Sequence, residues 1–554
     1  MSDQYSRRDF LKLASAGAAT SAILTGCGPA ARYVRRTPYT KMPEYTFNGL
    51  STNFASMCFE CAAGCGLVVR TMQGRAHKVE GNPAHPVNQG KTCPRGQATL
   101  HGLYNPDRVT DPQKQAKRGS RKFSKMDWDA AVAVVADALK NNQPGEIGFL
   151  MGMAPDHLFD LAADLAKGIG AAPPIRYGAQ SMFEGRTTLA QAAQDLFGQM
   201  AMPFFDIGAA DVVFSFGAPF LGPWLSQVAF NRAYTQMRKG TTTGRRGTLV
   251  QFEPRMSQTA AKADQWIPIK PGTEGMVALA IGHLAAEKRG GSMPQVFANI
   301  DVEATAKASG VNSAKLEELA NLLAASASPL VIPGGAALAV NNGLEIAKTV
   351  LALNAFLGNL GKPGGVSLTP FAPMQTGYDG PASLQDMAAF IEKMKSGAFK
   401  VLFIHGVNPV YEIPKALGFE AALAGVPSVI SFATFPDETA MQADYVFPDH
   451  HGLESWGYQR VLAGVGEPTL SGAQPVVVPF RNTRATVDVL LAAVAAAGGK
   501  AAAALPFKDE VEFIESKLTP LVSETDAYFG APEINTFMAS FQQYGGWWKT
   551  KAAL

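Results

Sequence analysis

Cys58-Phe-Glu-Cys61-Ala-Ala-Gly-Cys65, then twenty-seven residues, then Cys93-Pro-Arg-Gly96: this stretch holds every cysteine of the chain except Cys27. Three thiols on a tight loop and a distant fourth suit the corners of one [4Fe-4S] cluster. Gly64 and Gly66 flank Cys65, where a loop wrapped around inorganic sulfide needs positive φ or a close backbone approach. Two other readings of the same thiols stay open. A structural zinc usually takes paired C-x2-C knuckles, and Cys93 has no cysteine two or three residues away. Two disulfides would ask a C-x2-C-x3-C run for poor bridging geometry, in a chain large enough to do without staples.

The same stretch carries Gly81-Asn82-Pro83, His85-Pro86, Arg95-Gly96 and Leu103-Tyr104-Asn105-Pro106-Asp107-Arg108. With the cysteine spacing, these motifs resemble the iron–sulfur opening of the large subunit in the DMSO-reductase (molybdopterin oxidoreductase) family. In that family a Lys or Arg two residues after the fourth cysteine lies between cluster and pterin. The resemblance therefore implies that Arg95 tunes electron transfer at the cluster; alone, Arg95 reads as an ordinary surface cation.

The chain opens with Ser6-Arg7-Arg8-Asp9-Phe10-Leu11-Lys12, a twin-arginine pattern, followed by an Ala-rich, weakly apolar run from Leu13 to Gly26. That run is too short for the roughly 18 apolar residues of a membrane helix. Leu24-Thr25-Gly26-Cys27 resembles a bacterial lipobox, so residues 1–27 are expected to be an export signal with Cys27 the lipidated residue; the bland reading is a small-residue cleavage site. The expected location is the periplasmic side of the inner membrane. One lipid anchor is strong only with help, which implies docking onto a membrane partner. Arg32 to Lys41 reads as a basic linker.

A length of 554 residues suggests three or four domains and a large core. Only 17% of residues are charged, against about 25% in typical domains, and 47% are apolar, so much surface is expected to be buried between layers or against partners. A net charge of +3 shows no basic concentration of the kind nucleic-acid binding needs. There is no Gly-x-Ser-x-Gly, no P-loop and no close His pair for zinc. After Arg108 the pattern becomes strand, glycine turn, helix, repeated. Apolar runs occur at Glu146–Met151, Asp211–Phe216, Thr248–Phe252, Leu330–Ile332, Val401–Ile404 and Ser428–Phe432. Near-continuous apolar strands alternating with helices predict parallel sheets covered on both faces. Asp156 to Lys167 has helical spacing, and the Ala-rich Val487 to Leu505 reads as a buried helix and its loop. The expected fold class is α/β. It combines a small iron–sulfur domain (45–108, with 437–554 packed on it) with two doubly wound parallel-sheet domains interleaved in sequence, 109–180 with 367–436, and 181–366.

Ligands of such sheets bind beyond the carboxyl ends of the strands. There Ser215-Phe-Gly217 offers a hydroxyl and a close-approach glycine to a phosphate, and Glu253-Pro254-Arg255 offers a carboxylate to a ribose. Pro271-Gly272-Thr273 and Gly406-Val-Asn408-Pro409 suit a base or pterin, although each alone also reads as a plain strand-to-helix turn. Their order, with Leu357–Gly361, Gly364-Gly365 and Asp437-Glu-Thr-Ala, is similar to the order in which the family surrounds its two pterin guanine dinucleotides, and the resemblance covers about residues 45 to 550.

Two departures bear on function. The family's metal ligand falls near Ser181-Met-Phe-Glu184-Gly185-Arg186, where Glu184 or Ser181 is the candidate oxygen and helix capping by Ser181 the bland reading. Family members also continue into a β-rich domain that covers the second pterin; this chain is expected to lack that lid. The combination, with Pro448-Asp449-His450-His451-Gly-Leu-Glu454, resembles the cofactor-free subunit of alternative complex III and of the quinone reductase complexes of sulfate reducers. That implies an electron-transfer and scaffold subunit of a membrane-associated quinol oxidoreductase. It would carry one [4Fe-4S] cluster and no molybdopterin guanine dinucleotide. Its implied partners are a ferredoxin-like iron–sulfur subunit, a polytopic quinol-binding subunit and a cytochrome c-type subunit, and the His450-His451 pair would mark a surface facing haem. The alternative is a molybdenum bis-pterin reductase of polysulfide, thiosulfate or a similar oxoanion.

Overall fold

A computed structural model describes residues 51–153 and 155–549; the twin-arginine stretch and Cys27 lie outside the described residues. Contacts divide the chain into two compact units, and every described residue except Met72–Arg75 falls in the larger one, which is the unit described below.

The strands Ser51–Met57, Gly66–Met72 and Arg75–Gly81 form a three-stranded sheet, with the first cysteine loop between the first two. Cys93 is the N-cap of the helix Pro94–Leu103. Pro94 starts that helix where a missing N–H costs nothing and its fixed φ is already helical.

The first α/β sheet has seven strands, in the order Phe123–Lys125, Gln113–Gln115, Tyr445–Pro448, Ser428–Ala433, Val401–His405, Ile147–Met151, Ile175–Arg176. From Tyr445–Pro448 onward the neighbours are parallel. The edge formed by residues 113–125 is antiparallel, an addition to the parallel sheet expected from sequence. These short polar strands give no apolar run; they are held by buried Gln115, whose amide donates to Ala443 O at 2.8 Å. The second sheet is wholly parallel, in the order Gln265–Ile267, Thr248–Phe252, Val212–Phe216, Pro329–Pro333.

Alternation along the strands splits each sheet between two cores. In the first, Phe149, Met151 and Phe403 face one cluster with the helices Trp128–Asn141, Asp156–Ile169 and Thr486–Ala497; Leu150, Leu402 and Ile404 face another. In the second, Val213, Leu249 and Ile332 face one side and Phe214, Val250 and Phe252 the other. All five residues of Ile147–Met151, Val212–Phe216 and Val401–His405 are buried, the mark of a sheet covered twice. The Ala-rich stretch expected to end in a loop instead breaks at Gly498 (φ +70°) and resumes as the short helix Gly499–Ala504. Among the described residues no helix is long and apolar enough to cross a membrane.

A third sheet, Gly457–Arg460, Thr469–Ala473 and Gly546–Trp548, is antiparallel. It lies against the cysteine region: Ser471 Oγ donates to Gly64 O at 2.6 Å, and Asn82 Nδ2 donates to Tyr544 O at 2.7 Å. Beside it, Arg108 and Glu454 form a two-pronged ion pair at 3.1 and 2.6 Å with both side chains fully buried.

Removing one partner of that pair strands a charge in the core. Arg108→Met is expected to cost about 3–5 kcal/mol, whereas Arg108→Met with Glu454→Met should recover most of the loss; equilibrium denaturation of the three proteins checks this.

Candidate functional site

The loop that carries three cysteines is closed by Cys58 N donating to Cys65 O at 2.9 Å. Gly64 has φ +62°, a conformation open to glycine at little cost. Gly66 serves close approach: a Cβ there would sit 2.6 Å from the ring of His85. Asn88 braces the same residue from both sides, accepting from Gly66 N at 3.0 Å and donating to Gly66 O at 2.8 Å. His85 is buried, its Nε2 lies 3.0 Å from Ser471 Oγ, and burial pushes its pKa down to about 3, so it is neutral at pH 7. It is a wall of the loop.

Cys58 and Cys65 are buried; Cys61 and Cys93 are partly exposed. Cys61, Cys65 and Cys93 line one pocket with Arg95, Gln180, Glu184 and Trp224. Burial raises the pKa of Cys65 well above its ordinary value, and the thiols of Cys58, Cys61 and Cys93 raise it further. Cys58 is raised by burial and then by Cys61. Cys58 and Cys65, each raised by burial and by neighbouring thiols, need positive charge beside them to become thiolates. Among the described residues no group of three or more His, Cys, Asp and Glu side chains is arranged to hold a single metal ion. An all-sulfur donor set drawn from two places in the chain fits an iron–sulfur cluster.

Arg95 Nη1 donates to Gln180 Oε1. Gln180 Nε2 in turn donates to Glu184 Oε1 at 2.8 Å, and Arg186 Nε donates to Glu184 Oε2 at 2.6 Å. Trp224 Nε1 donates to the Glu184 carbonyl at 2.9 Å, and Arg186 Nη2 to Leu225 O at 2.8 Å. Burial opposes the charged Arg186, yet Glu184, with Tyr378 and Cys61, offsets this and raises its pKa. Both oxygens of the Glu184 carboxylate are thus taken by protein donors. Ser181 caps nothing: it is buried inside the short helix Ala179–Phe183, whose N-cap is Gly178.

The strand-end residues separate into two clefts. Gly217, Glu253 and Arg255 line one of 420 Å³, walled by Phe183, Trp224 and prolines 219, 223 and 254. Gly406 and Asn408 line another of 370 Å³, together with His157, His405, Asp437, Asp449 and Phe59, the neighbour of Cys58. Ser215 reaches neither: it is fully buried, donating to Ala218 O at 3.1 Å, because its side chain points into the sheet face and not off the strand end. Gly272 is exposed and Thr273 donates to Lys270 O at 2.6 Å; the next residue, buried Glu274, lines the first cleft instead. Sequence reasoning missed Glu274, although an acidic residue directly after Pro-Gly-Thr at a helix start was a readable signal. Glu253 accepts from Ser257 N at 2.6 Å and Gln251 Nε2 at 3.0 Å, and Asn408 is tied to Glu438 and Thr439. Of the pair expected to mark a surface facing haem, only His450 is partly exposed. His451 is buried and pushed down to about 3 by burial and Arg108, while His450 holds Thr483 Oγ1 at 2.7 Å.

Two twice-covered sheets with clefts at their strand ends, beside a four-thiol loop, define an iron–sulfur oxidoreductase scaffold. The chain matches the "Molybdopterin oxidoreductase Fe4S4 domain" model over residues 52–105 and the "Molybdopterin oxidoreductase" model over 108–493, and it belongs to the molybdopterin oxidoreductase family. It is 31% identical over 452 residues to the menaquinone reductase, molybdopterin-binding-like subunit of Nitratidesulfovibrio vulgaris, covering 78% of this chain and 63% of that protein. It is 24% identical over 573 residues to the arsenate respiratory reductase molybdopterin-containing subunit of a Shewanella species, covering 86% of this chain and 64% of that protein. The chain therefore spans just under two thirds of the length of these two relatives. Acetylene hydratase from Pelobacter acetylenicus shares the fold, with a TM-score of 0.68 at 16% identity over 85% of this chain and 72% of that one.

Gly66→Ala is expected to force the His85 ring and the cysteine loop apart, at a cost of about 1–3 kcal/mol typical of overpacking. Iron per chain after gel filtration should fall below wild type, while Gly145→Ala, with nothing within 4 Å of the added Cβ, should retain it.

Proposed function

We propose that this chain is an electron-transfer and scaffold subunit of a membrane-associated quinol oxidoreductase complex. Cys58, Cys61, Cys65 and Cys93 would hold one [4Fe-4S] cluster, which supplies one-electron transfer when bound. The observation that carries the reading is the engagement of Glu184. Around the position where the family resemblance asks for a molybdenum ligand, the carboxylate is paired with buried Arg186 and held by Gln180, and Ser181 is enclosed in a helix. A buried guanidinium beside that carboxylate disfavours a second cation there.

The protein's own groups shape the electron carrier's surroundings. Arg95 places positive charge beside Cys61 and Cys65, favouring their thiolates. Neutral His85 packs against Gly66, and Asn88 bonds its N–H and its carbonyl. The similarity to the menaquinone reductase subunit supports a quinone-linked complex. In that complex a ferredoxin-like subunit and a cytochrome c-type subunit would exchange electrons with this chain, and a polytopic subunit would hold the quinol. Arg7-Arg8 and Cys27 support export by the twin-arginine route and a lipid tether on the periplasmic side of the inner membrane.

A second reading, a molybdenum bis-pterin reductase of polysulfide, thiosulfate or a similar oxoanion, is favoured by the two open clefts. They retain Gly217, Glu253, Arg255, Gly406 and Asn408 at the strand ends, with Gly272 and Thr273 on the neighbouring turn.

Elemental analysis of the complex purified from membranes decides between the two. The expected result is about four iron atoms per chain with no stoichiometric molybdenum or tungsten, and a reduced-cluster spectrum on adding menaquinol. One molybdenum per chain with extractable pterin would establish the second reading in place of the first.

A further inference from the structure

We propose that Gln180 is a positioning residue which, with the Glu184–Arg186 ion pair behind it, sets the reduction potential of the cluster held by the four cysteines. The inference rests on the iron–sulfur reading above and goes beyond it, because it assigns a redox role to side chains that would otherwise be packing.

The side chains form one unbroken series. Arg95 donates to the oxygen of the Gln180 amide, the nitrogen of the same amide donates to Glu184 at 2.8 Å, and Glu184 accepts from Arg186 at 2.6 Å. Gln180 uses both ends of its amide, so its orientation is dictated by a cation on one side and an anion on the other. Gly185 makes the fold-back from Glu184 to Arg186 available: its φ is +75°, and a Cβ there would meet Leu338 at 2.9 Å. The far end is anchored by Leu225 O and Trp224 Nε1. Gln180, Glu184 and Trp224 line the thiol pocket itself.

Charge is what this series delivers. Glu184 and Arg186 are buried, where a charge acts on its neighbours far more strongly than in water. Arg95 and Glu184 line the same pocket as Cys61, Cys65 and Cys93, and Arg186 stands directly behind Glu184 at 2.6 Å. Adding an electron to a cluster adds negative charge, so nearby cations raise the potential and nearby anions lower it. Two cations and one anion leave the series one positive charge in excess. Gln180 is the side chain that holds the Arg95 guanidinium toward the pocket among the described residues.

The test is an EPR-monitored redox titration of the full-length chain carrying its reconstituted cluster, with iron content and circular dichroism confirming each variant. Glu184→Gln should shift the midpoint potential upward and Arg186→Gln downward. The double variant Glu184→Gln with Arg186→Gln, which keeps amides in place of both charges, should lie between the two. Gln180→Leu changes no charge and should shift the potential downward by releasing Arg95, while Gln180→Asn should recover part of that shift. Shifts of the same sign for Glu184→Gln and Arg186→Gln, or an unmoved potential in Gln180→Leu, would overturn the proposal. Should either single-charge variant fail to take up iron, Gln180→Leu and the double variant decide alone. A wild-type chain that binds no iron would instead overturn the iron–sulfur reading.

Discussion

Four sulfur atoms brought together from two separate places in the chain are the constraint around which this molecule is built. Burial, and then the neighbouring thiols, disfavour the thiolates of Cys58 and Cys65, which positive charge beside the sulfurs would favour. The loop that presents them is correspondingly over-determined. It is closed on itself, clamped by Asn88, walled by a neutral His85 and tied to the C-terminal sheet through Ser471.

That bracing is borrowed from distant parts of the chain. Ser471 lies 407 residues from Gly64 in sequence, and the Arg108–Glu454 pair spans 346. The first α/β sheet shows the same logic. Its strand Ile147–Met151 pairs with Val401–His405, so the whole second sheet is inserted between two neighbours of the first. Strands of such separation meet because each is apolar on both faces and can be satisfied only inside a sheet covered twice.

The ground between the cysteine pocket and the first cleft shows what the scaffold has done with its interior. A cleft that could admit a large anionic ligand is lined by the carboxylates of Glu184, Glu253 and Glu274, with Arg255 its single cationic lining residue. Glu184 and Glu253 are already bonded to protein donors. Polar groups satisfied by the protein itself ask nothing of a ligand. The strand-end cleft is formed while part of its polar lining is bonded within the protein.

Much of this could be read from the residues in order. The cysteine spacing, the apolar runs and the glycines beside Cys65 declared the iron–sulfur loop and the parallel sheets, because those features depend on local spacing and periodicity. The expectation of an export signal over residues 1–27 likewise rests on sequence alone. What only the tertiary structure decided was how side chains far apart in sequence pair with one another. Ser215 turned into the sheet, Ser181 was enclosed, Glu274 entered the cleft in place of Gly272 and Thr273, and Glu184 was claimed by Gln180 and Arg186. A motif states which atoms are available at a position; whether a carboxylate is free or already paired depends on burial and on partners that folding alone brings within hydrogen-bond reach.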